Sequence, residues 1–166
     1  MAPRPGQPLT AEDRALVRLA QKALRSGYRE HRHGVAAAVR TVSGTVYVGL
    51  NVDGIHGPCA EHVAIGAAVT AGDPKLRSMV AVAKRGTAYP VLSPCGNCRQ
   101  LLLDYAPDAT VIARYPNGRV VRLSVQESLP AAFRTFRAAR RTRRGTRSRA
   151  RRAKTLSTRP SPGRPR

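Results

Sequence analysis

The chain has 166 residues and a formal net charge of +21, with 30 Lys and Arg against 9 Asp and Glu. This length suits one domain with a sizeable core and disfavours a second full domain. The 3 cysteines are an odd number in clustered spacing, which argues against a secreted disulfide framework. Because no apolar run is long enough to span a membrane and the first residues lack the apolar core of a signal peptide, we expect a cytoplasmic protein.

The predicted elements alternate between helices and strands along the chain. Thr10 and Asp13 have capping spacing before an apolar series that ends at Gly27, which predicts the first helix. Two apolar segments on either side of Ser43 and Gly44 predict a hairpin. The later predicted elements are a helix at 59–72, a strand at 78–84, a helix within 94–107 and a hairpin around 116–118. This order implies an α/β sandwich around a mixed sheet.

The C-terminal segment 134–166 differs in composition from the rest of the chain. It holds 14 of the 30 Lys and Arg and no acidic residue. Because it has few large apolar side chains, it cannot bury enough surface to offset the entropy of ordering, and we expect disorder. The predicted organisation is a flexible N-terminus at 1–8, one domain at 9–133 and an Arg-rich disordered tail at 134–166.

The cysteines lie in two groups, and a proline precedes each group. Proline is tolerated in the first helical turn, so Cys59 and Cys95 are predicted at helix N-termini, where free amides and the helix dipole favour a thiolate. Cys98 follows Cys95 by one helical turn on the same face. Two converging helix starts would present three thiolates to one point, which suits a zinc ion that keeps its fourth position for water.

Glu61 lies two residues into the predicted helix, near such a metal without being needed as a ligand. A carboxylate there can move protons between an attacking water and a leaving group. Three other interpretations leave residues unexplained. A Cys-x-x-Cys redox pair gives Cys59 no role, and a structural zinc site closed by His56 or His62 gives Glu61 none. Three unrelated buried cysteines would make the paired Pro-Cys starts a coincidence.

The two motifs resemble the signature of the cytidine deaminase family, which is His or Cys, one residue and Glu, followed later by Pro-Cys-x-x-Cys. Here "CAE" at 59–61 and "PCGNCRQ" at 94–100 match the all-cysteine version of the small homotetrameric nucleoside deaminases. The resemblance covers about Leu9 to Phe133 and is close to the blasticidin S deaminase branch around "GPCAE" and "LSPCGNCRQLLLD". It implies a three-layer α/β/α sandwich around a mixed five-stranded sheet.

The resemblance implies one Zn²⁺ per chain, held by Cys59, Cys95 and Cys98, with Glu61 as the proton shuttle. The implied reaction is the hydrolysis of cytidine or deoxycytidine at C4 of the base, which releases ammonia and the uracil nucleoside. Such an enzyme acts in pyrimidine salvage.

The resemblance also implies site residues outside the two motifs. Residues 51 and 53 fall where nucleoside deaminases bind ribose hydroxyls, and residue 33 falls where they often stack a phenylalanine on the base. Residue 133 falls where an aromatic side chain of one subunit approaches its neighbour's substrate, in keeping with a homotetramer. The implied residues are Asn51, Asp53, His33 and Phe133 for substrate binding, and Arg99 and His62 for offsetting the thiolate charge.

Two other functions stay open at this point. Blasticidin S deamination is one, because the loop from Asn51 to Cys59 is closer in length to that branch. Nucleic-acid binding through the basic tail is the other, either by a binding protein or by a polynucleotide deaminase, since Arg-rich segments bind phosphate backbones regardless of sequence. Against nucleic-acid binding as the main function, aromatic residues make up 4% of the chain and no stacking residues are interleaved with the arginines in a cluster.

Overall fold

The computed structural model describes residues 6–133. In chain order the elements are α1 (Ala11–Gly27), β1 (Val35–Thr41), β2 (Val46–Leu50), α2 (Ala60–Thr70), β3 (Leu76–Ala83), β4 (Val91–Leu92), α3 (Gly96–Tyr105), β5 (Thr110–Arg114), β6 (Val120–Ser124) and α4 (Val125–Ser128). The chain divides by its contacts into Met1–Ala131 and Ala132–Arg166, and all of these elements lie in the first part. The predicted tail at 134–166 and residues 1–5 lie outside the described residues.

One mixed sheet runs through the centre of the fold. Its main path is β2–β1–β3–β5–β6, and the two-residue β4 pairs with β3 as a sixth strand beside this path. The β3–β5 pairing is parallel, and the other strand pairings are antiparallel. The predicted α/β fold around a mixed sheet is confirmed, with five strands on the main path and β4 as a short addition.

The helix α1 covers one face of the sheet and begins and ends as predicted. The Asp13 N–H donates to Thr10 Oγ1 at 3.1 Å, while the Thr10 N–H donates to Asp13 Oδ2 at 2.9 Å, which forms a capping box. The helix ends at Gly27. Its buried side chains pack with alternate residues of the strands in one core cluster: Leu16, Ala20, Leu24, Ala36, Ala38, Val80, Val82, Val91 and Ile112.

The helix α2 covers the opposite face. It lies so close to β2 that a Cβ on Gly49 would overlap backbone atoms of Ala60 and Ala64. Gly49 pairs with Ala37, and successive residues of a strand point to opposite faces, so Ala37 faces α2 while its neighbours Ala36 and Ala38 face α1. The three-layer α/β/α arrangement is therefore present.

Both predicted hairpins are present, and a glycine turns each of them. Gly44 between β1 and β2 has φ 95°, and Gly118 between β5 and β6 has φ 86°, in the left-handed region that favours glycine. The sequence did not predict β4 or α4, because elements of 2 and 4 residues are too short to show a hydrophobic period.

Gln7 lies at the end of the segment 1–8 that the sequence predicts to be flexible. Its N–H donates to the Arg122 carbonyl at 2.9 Å, and its carbonyl accepts from the Arg122 N–H at 2.8 Å. This end of the segment is therefore paired with β6. None of the helices within residues 6–133 has the length and apolar character that crossing a bilayer requires.

Candidate active site

Two helix starts of similar sequence build the site. Cys59 is the N-cap of α2 and Cys95 is the N-cap of α3, both with extended backbone. Pro58 and Pro94 therefore each lie one residue before an N-cap, outside the first helical turn in which the sequence placed them. Each helix begins later than predicted because its cysteine takes the N-cap position. At the start of α3, Cys95 Sγ accepts a hydrogen bond from the Cys98 N–H at 3.5 Å.

The sulfur and nitrogen donors of the two helix starts converge. Cys95 Sγ lies 3.5 Å from Cys98 Sγ, and Cys98 Sγ lies 3.6 Å from His62 Nδ1 on α2. The donor atoms of Cys59, His62 and Cys98 all lie within 4.8 Å of one another. The structure thus brings the three cysteines together and adds His62 to them. His56, the other histidine considered as a zinc ligand, is exposed and lies outside this group.

The thiols of Cys98 and Cys59 have surroundings that oppose a negative charge. Burial, and then the neighbouring Glu61 carboxylate, raise the pKa of the Cys98 thiol far above its ordinary value. Burial also raises the pKa of Cys59, against a hydrogen bond with Cys98, and the charges of Cys95 and Glu61 add to the rise. A divalent cation among these groups would offset the cost of ionising them.

Cys95 differs from these two thiols. Burial opposes its ionisation, but hydrogen bonds from the Cys98 main chain, the Cys98 thiol and the Asn97 main chain lower its pKa overall. This is the effect expected at a helix N-terminus, where free N–H groups favour a thiolate. One thiol with a lowered pKa thus lies beside two thiols with raised pKa values.

Glu61 is the second residue of α2 and is only 3% exposed. Its charge acts on Cys59 and Cys98, so its carboxylate lies beside the thiols. A buried carboxylate beside the thiols can act on a ligand bound there.

The predicted substrate-binding residues His33 and Asn51 lie together. His33 Nδ1 is 2.7 Å from the Asn51 main-chain carbonyl, and the Val35 N–H donates to Asn51 Oδ1 at 2.9 Å. The loop that starts at Asn51 returns to the thiols, because the Val52 N–H donates to the Pro58 carbonyl at 3.1 Å. Both residues are thus connected to the start of α2.

The remaining predicted site residues have other surroundings. Asp53 is exposed, and Phe133 is 71% exposed and belongs to the second part of the chain. The Arg99 guanidinium donates to the Ser128 carbonyl at 2.7 Å and to the Cys95 carbonyl at 3.4 Å, so it joins α3 to α4. Sequence reasoning missed Ser128 and Val35, since both act through main-chain groups that leave no signal in the residue type.

A sequence profile described as "Cytidine and deoxycytidylate deaminase zinc-binding region" matches residues 10–114, which include both helix starts. The chain belongs to this family. Thiol and imidazole donors around one point are the ligands that tetrahedral Zn²⁺ prefers. Membership of the family and the group of Cys59, His62 and Cys98 together assign one Zn²⁺ to each chain. The protein is a hydrolytic deaminase.

Curated relatives and solved structures cover most of this deaminase. It is 33% identical to Blasticidin-S deaminase of Bacillus cereus over 133 residues, which is 75% of this chain and 94% of that protein. It is 32% identical to Cytidine deaminase of Halalkalibacterium halodurans, over 71% of this chain and 91% of that protein.

The solved structures agree with these matches. Cytidine deaminase from Burkholderia pseudomallei has a TM-score of 0.60 and 29% identity, and the match covers 75% of this chain and 100% of that one. Cytidine deaminase from Mycobacterium tuberculosis has a TM-score of 0.62 and 27% identity, with 76% and 100% covered. The deaminase therefore shares its fold with these proteins.

Proposed function

We propose that this deaminase hydrolyses a cytosine nucleoside, cytidine or deoxycytidine, to the uracil nucleoside and ammonia. The observation that carries the proposal is the meeting of two helix starts, where the thiols lie beside the buried Glu61 carboxylate. The similarity to a cytidine deaminase over 71% of this chain supports the same class of substrate.

In this proposal Cys59, Cys95 and Cys98 are the zinc ligands. Three protein ligands leave one of the four positions of a tetrahedral Zn²⁺ open for water. When bound, zinc lowers the pKa of such a water towards about 7 and supplies a nucleophile at neutral pH. Three thiolates carry more negative charge than the metal neutralises, and the His62 Nδ1 lies 3.6 Å from Cys98 Sγ, which supports His62 as the residue that offsets this charge.

Glu61 is the proposed proton carrier. Its place in the first turn of α2 brings its carboxylate to the thiols without using it as a ligand. One carboxylate oxygen takes a proton from the attacking water and then donates it to the amino group that leaves as ammonia. Burial limits competition from bulk water for these transfers.

Asn51 and Asp53 are proposed to bind the sugar hydroxyls, and His33 to lie beside the base. The Asn51 amide offers N–H donors and the Asp53 carboxylate offers acceptors, which together match hydroxyl groups that both donate and accept. Phe133 is proposed to reach the substrate of a neighbouring subunit, and its 71% exposure in the single chain supports this.

A parallel assay tests the substrate. Cytidine, deoxycytidine, blasticidin S and free cytosine are each incubated with the zinc-loaded full chain, and the loss of the cytosine absorbance is followed. We expect turnover of cytidine or deoxycytidine and poor turnover of free cytosine. No turnover of any cytosine nucleoside would contradict the proposal.

Blasticidin S is the second candidate substrate. The observation in its favour is the match to the Bacillus cereus enzyme, which extends over 94% of that protein. The same assay separates the two candidates. Turnover of the antibiotic alone would assign the protein to antibiotic resistance, and turnover of the natural nucleosides would assign it to pyrimidine salvage, for which we propose a cytoplasmic location.

We further propose that the deaminase is a homotetramer. Apolar side chains on β2, the loop after it and α2 are partly exposed in the single chain, with Val48 at 44%, Val52 at 49% and Val69 at 44%. Exposed apolar side chains on neighbouring elements favour burial against another copy of the chain. Light scattering during size-exclusion chromatography should give four chain masses, and a monomer at assay concentrations would contradict the proposal.

A further inference from the structure

Asn51 is held at three points by the segment before and at the start of β1. Its N–H donates to the Val35 carbonyl at 3.0 Å, and its side-chain Oδ1 accepts from the Val35 N–H at 2.9 Å. Its main-chain carbonyl lies 2.7 Å from His33 Nδ1. A main-chain N–H can bond only to the oxygen of the side-chain amide, so the orientation of that amide is fixed. The amide nitrogen is the group left to bind a ligand.

The hydrogen bond to Asn51 determines where neutral His33 carries its proton. A main-chain carbonyl accepts hydrogen bonds and cannot donate one, so the proton is on Nδ1. His33 belongs to a closed turn between α1 and β1, in which the His33 N–H donates to the Arg29 carbonyl at 2.9 Å. The imidazole therefore connects Asn51 to a turn that has its own hydrogen bonds.

The same turn holds the loop after β2 at a second place. The Asp53 N–H donates to the Arg32 carbonyl at 3.0 Å, next to the bond between His33 and Asn51. Val52 lies between Asn51 and Asp53, and its N–H donates a hydrogen bond to the carbonyl of Pro58, the residue before the N-cap of α2. The turn that carries His33 is thus hydrogen-bonded at two places to the loop that starts at Asn51.

We propose that His33 is a positioning residue, whose Nδ1–H bond to the Asn51 carbonyl holds the Asn51 amide nitrogen where the substrate binds. The identity of the substrate rests on the proposed function. Stacking on the base would need only the imidazole ring, whereas this role needs the N–H donor and tolerates loss of the ring.

Two substitutions separate the donor from the ring. His33→Asn keeps an N–H donor at similar reach and removes the ring, and His33→Phe keeps a ring and removes the donor. With the substrate that the parent turns over, His33→Phe should raise KM about three- to tenfold, the effect of losing one hydrogen bond, while kcat stays within about twofold. His33→Asn, which keeps the donor, should raise KM clearly less than His33→Phe does.

A double substitution tests whether His33 acts through Asn51. In an Asn51→Ala background, where the amide is gone, His33→Phe should raise KM no further. The proposal is overturned if His33→Asn raises KM as much as His33→Phe does, if His33→Phe matches the parent, or if the effects of His33→Phe and Asn51→Ala multiply.

A spectroscopic measurement is independent of turnover. Nuclear magnetic resonance of the ring nitrogens in the zinc-loaded full chain should show neutral His33 with its proton on Nδ1, and a proton on Nε2 would overturn the proposal. The proposed function fails on a different result, which is a parent enzyme that turns over no cytosine nucleoside.

Discussion

The starts of α2 and α3 share the residues Pro-Cys and then diverge. Behind the N-cap cysteine, α2 continues with Ala60, Glu61 and His62, and α3 continues with Gly96, Asn97 and Cys98. The third helical position therefore holds an imidazole on one helix and a thiol on the other, and their Nδ1 and Sγ atoms lie 3.6 Å apart. The start of α3 therefore adds a second thiol, Cys98, whereas the start of α2 adds the carboxylate of Glu61 and the imidazole of His62.

The two N-cap cysteines also differ in acidity. The pKa of Cys59 is raised, chiefly by burial, and its side chain makes no capping hydrogen bond. Burial also opposes the ionisation of Cys95, yet hydrogen bonds that include the Cys98 and Asn97 main chains lower its pKa overall. Cys59 and Cys95 thus share the N-cap position but differ in pKa, because main-chain N–H groups donate hydrogen bonds to the sulfur of Cys95.

The largest effect is expected from removing the sulfur that joins the two helix starts. Cys98 is fully buried and lies next to both Cys95 and His62. Cys98→Ala should lose zinc and all measurable deaminase activity, because one of the proposed ligands is gone. Metal analysis of the purified variant against the parent checks this, and a full zinc content in the variant would contradict the proposed ligand set.

The second prediction compares the second helical positions of α2 and α3. Glu61→Gln should lower kcat about 10²- to 10⁴-fold, because the amide cannot carry the proton. The zinc content of this variant should be unchanged. Asn97→Ala is the matched control and should keep activity within about threefold, since the main chain of Asn97, not its side chain, bonds to Cys95. Glu61→Gln with activity close to the parent would show that this residue is a bystander.

The third prediction concerns the third helical position of α2. His62→Ala should weaken zinc binding or activity about 10- to 100-fold, the usual effect of removing a group next to metal ligands. His62→Arg, which places a positively charged donor there, should lose less. Competition with a chelator measures the affinity for zinc, and the two variants behaving alike would argue against charge offset.

The smallest effect on activity is expected from removing most of the C-terminal basic tail, which lies far from both helix starts in the sequence. A chain that ends at Ala138 lacks 12 of the 30 Lys and Arg, and it should keep its zinc and its nucleoside turnover. It should lose any salt-sensitive binding to RNA or DNA, since that binding depends on the number of phosphates neutralised. A truncated chain that fails to fold or loses turnover would contradict the proposal that 9–133 is the catalytic domain.

Local patterns predicted most of the fold. The capping pair Thr10 and Asp13 and the stop at Gly27 gave the bounds of α1, because these signals act within one turn of the helix. The strand β4 was missed because Val91 and Leu92 become a strand only by pairing with β3. That pairing depends on residues distant in sequence, and a two-residue segment carries no period of its own.

The contacts in the site also divide into those that local spacing predicts and those that depend on tertiary packing. Cys95 and Cys98 are three residues apart, which is about one helical turn, so their proximity could be predicted from the sequence. The approach of His62 to Cys98 depends on how two helices lie relative to each other, and spacing along one helix does not encode that. The hydrogen bond from His33 to the Asn51 carbonyl is equally out of reach, since any residue has that carbonyl.

Gly49 has a consequence for which parts of this enzyme can vary. A single methyl group there would meet main-chain atoms of α2, and main chain cannot swing aside as a flexible side chain can, so the helix carrying Cys59 and Glu61 would have to move. The exposed loop residues Gly54 and Ile55 have no such neighbours, and Ile55 is 97% exposed. In a saturation library position 49 should therefore accept almost no substitution, while the tip of the loop beside the site should accept many.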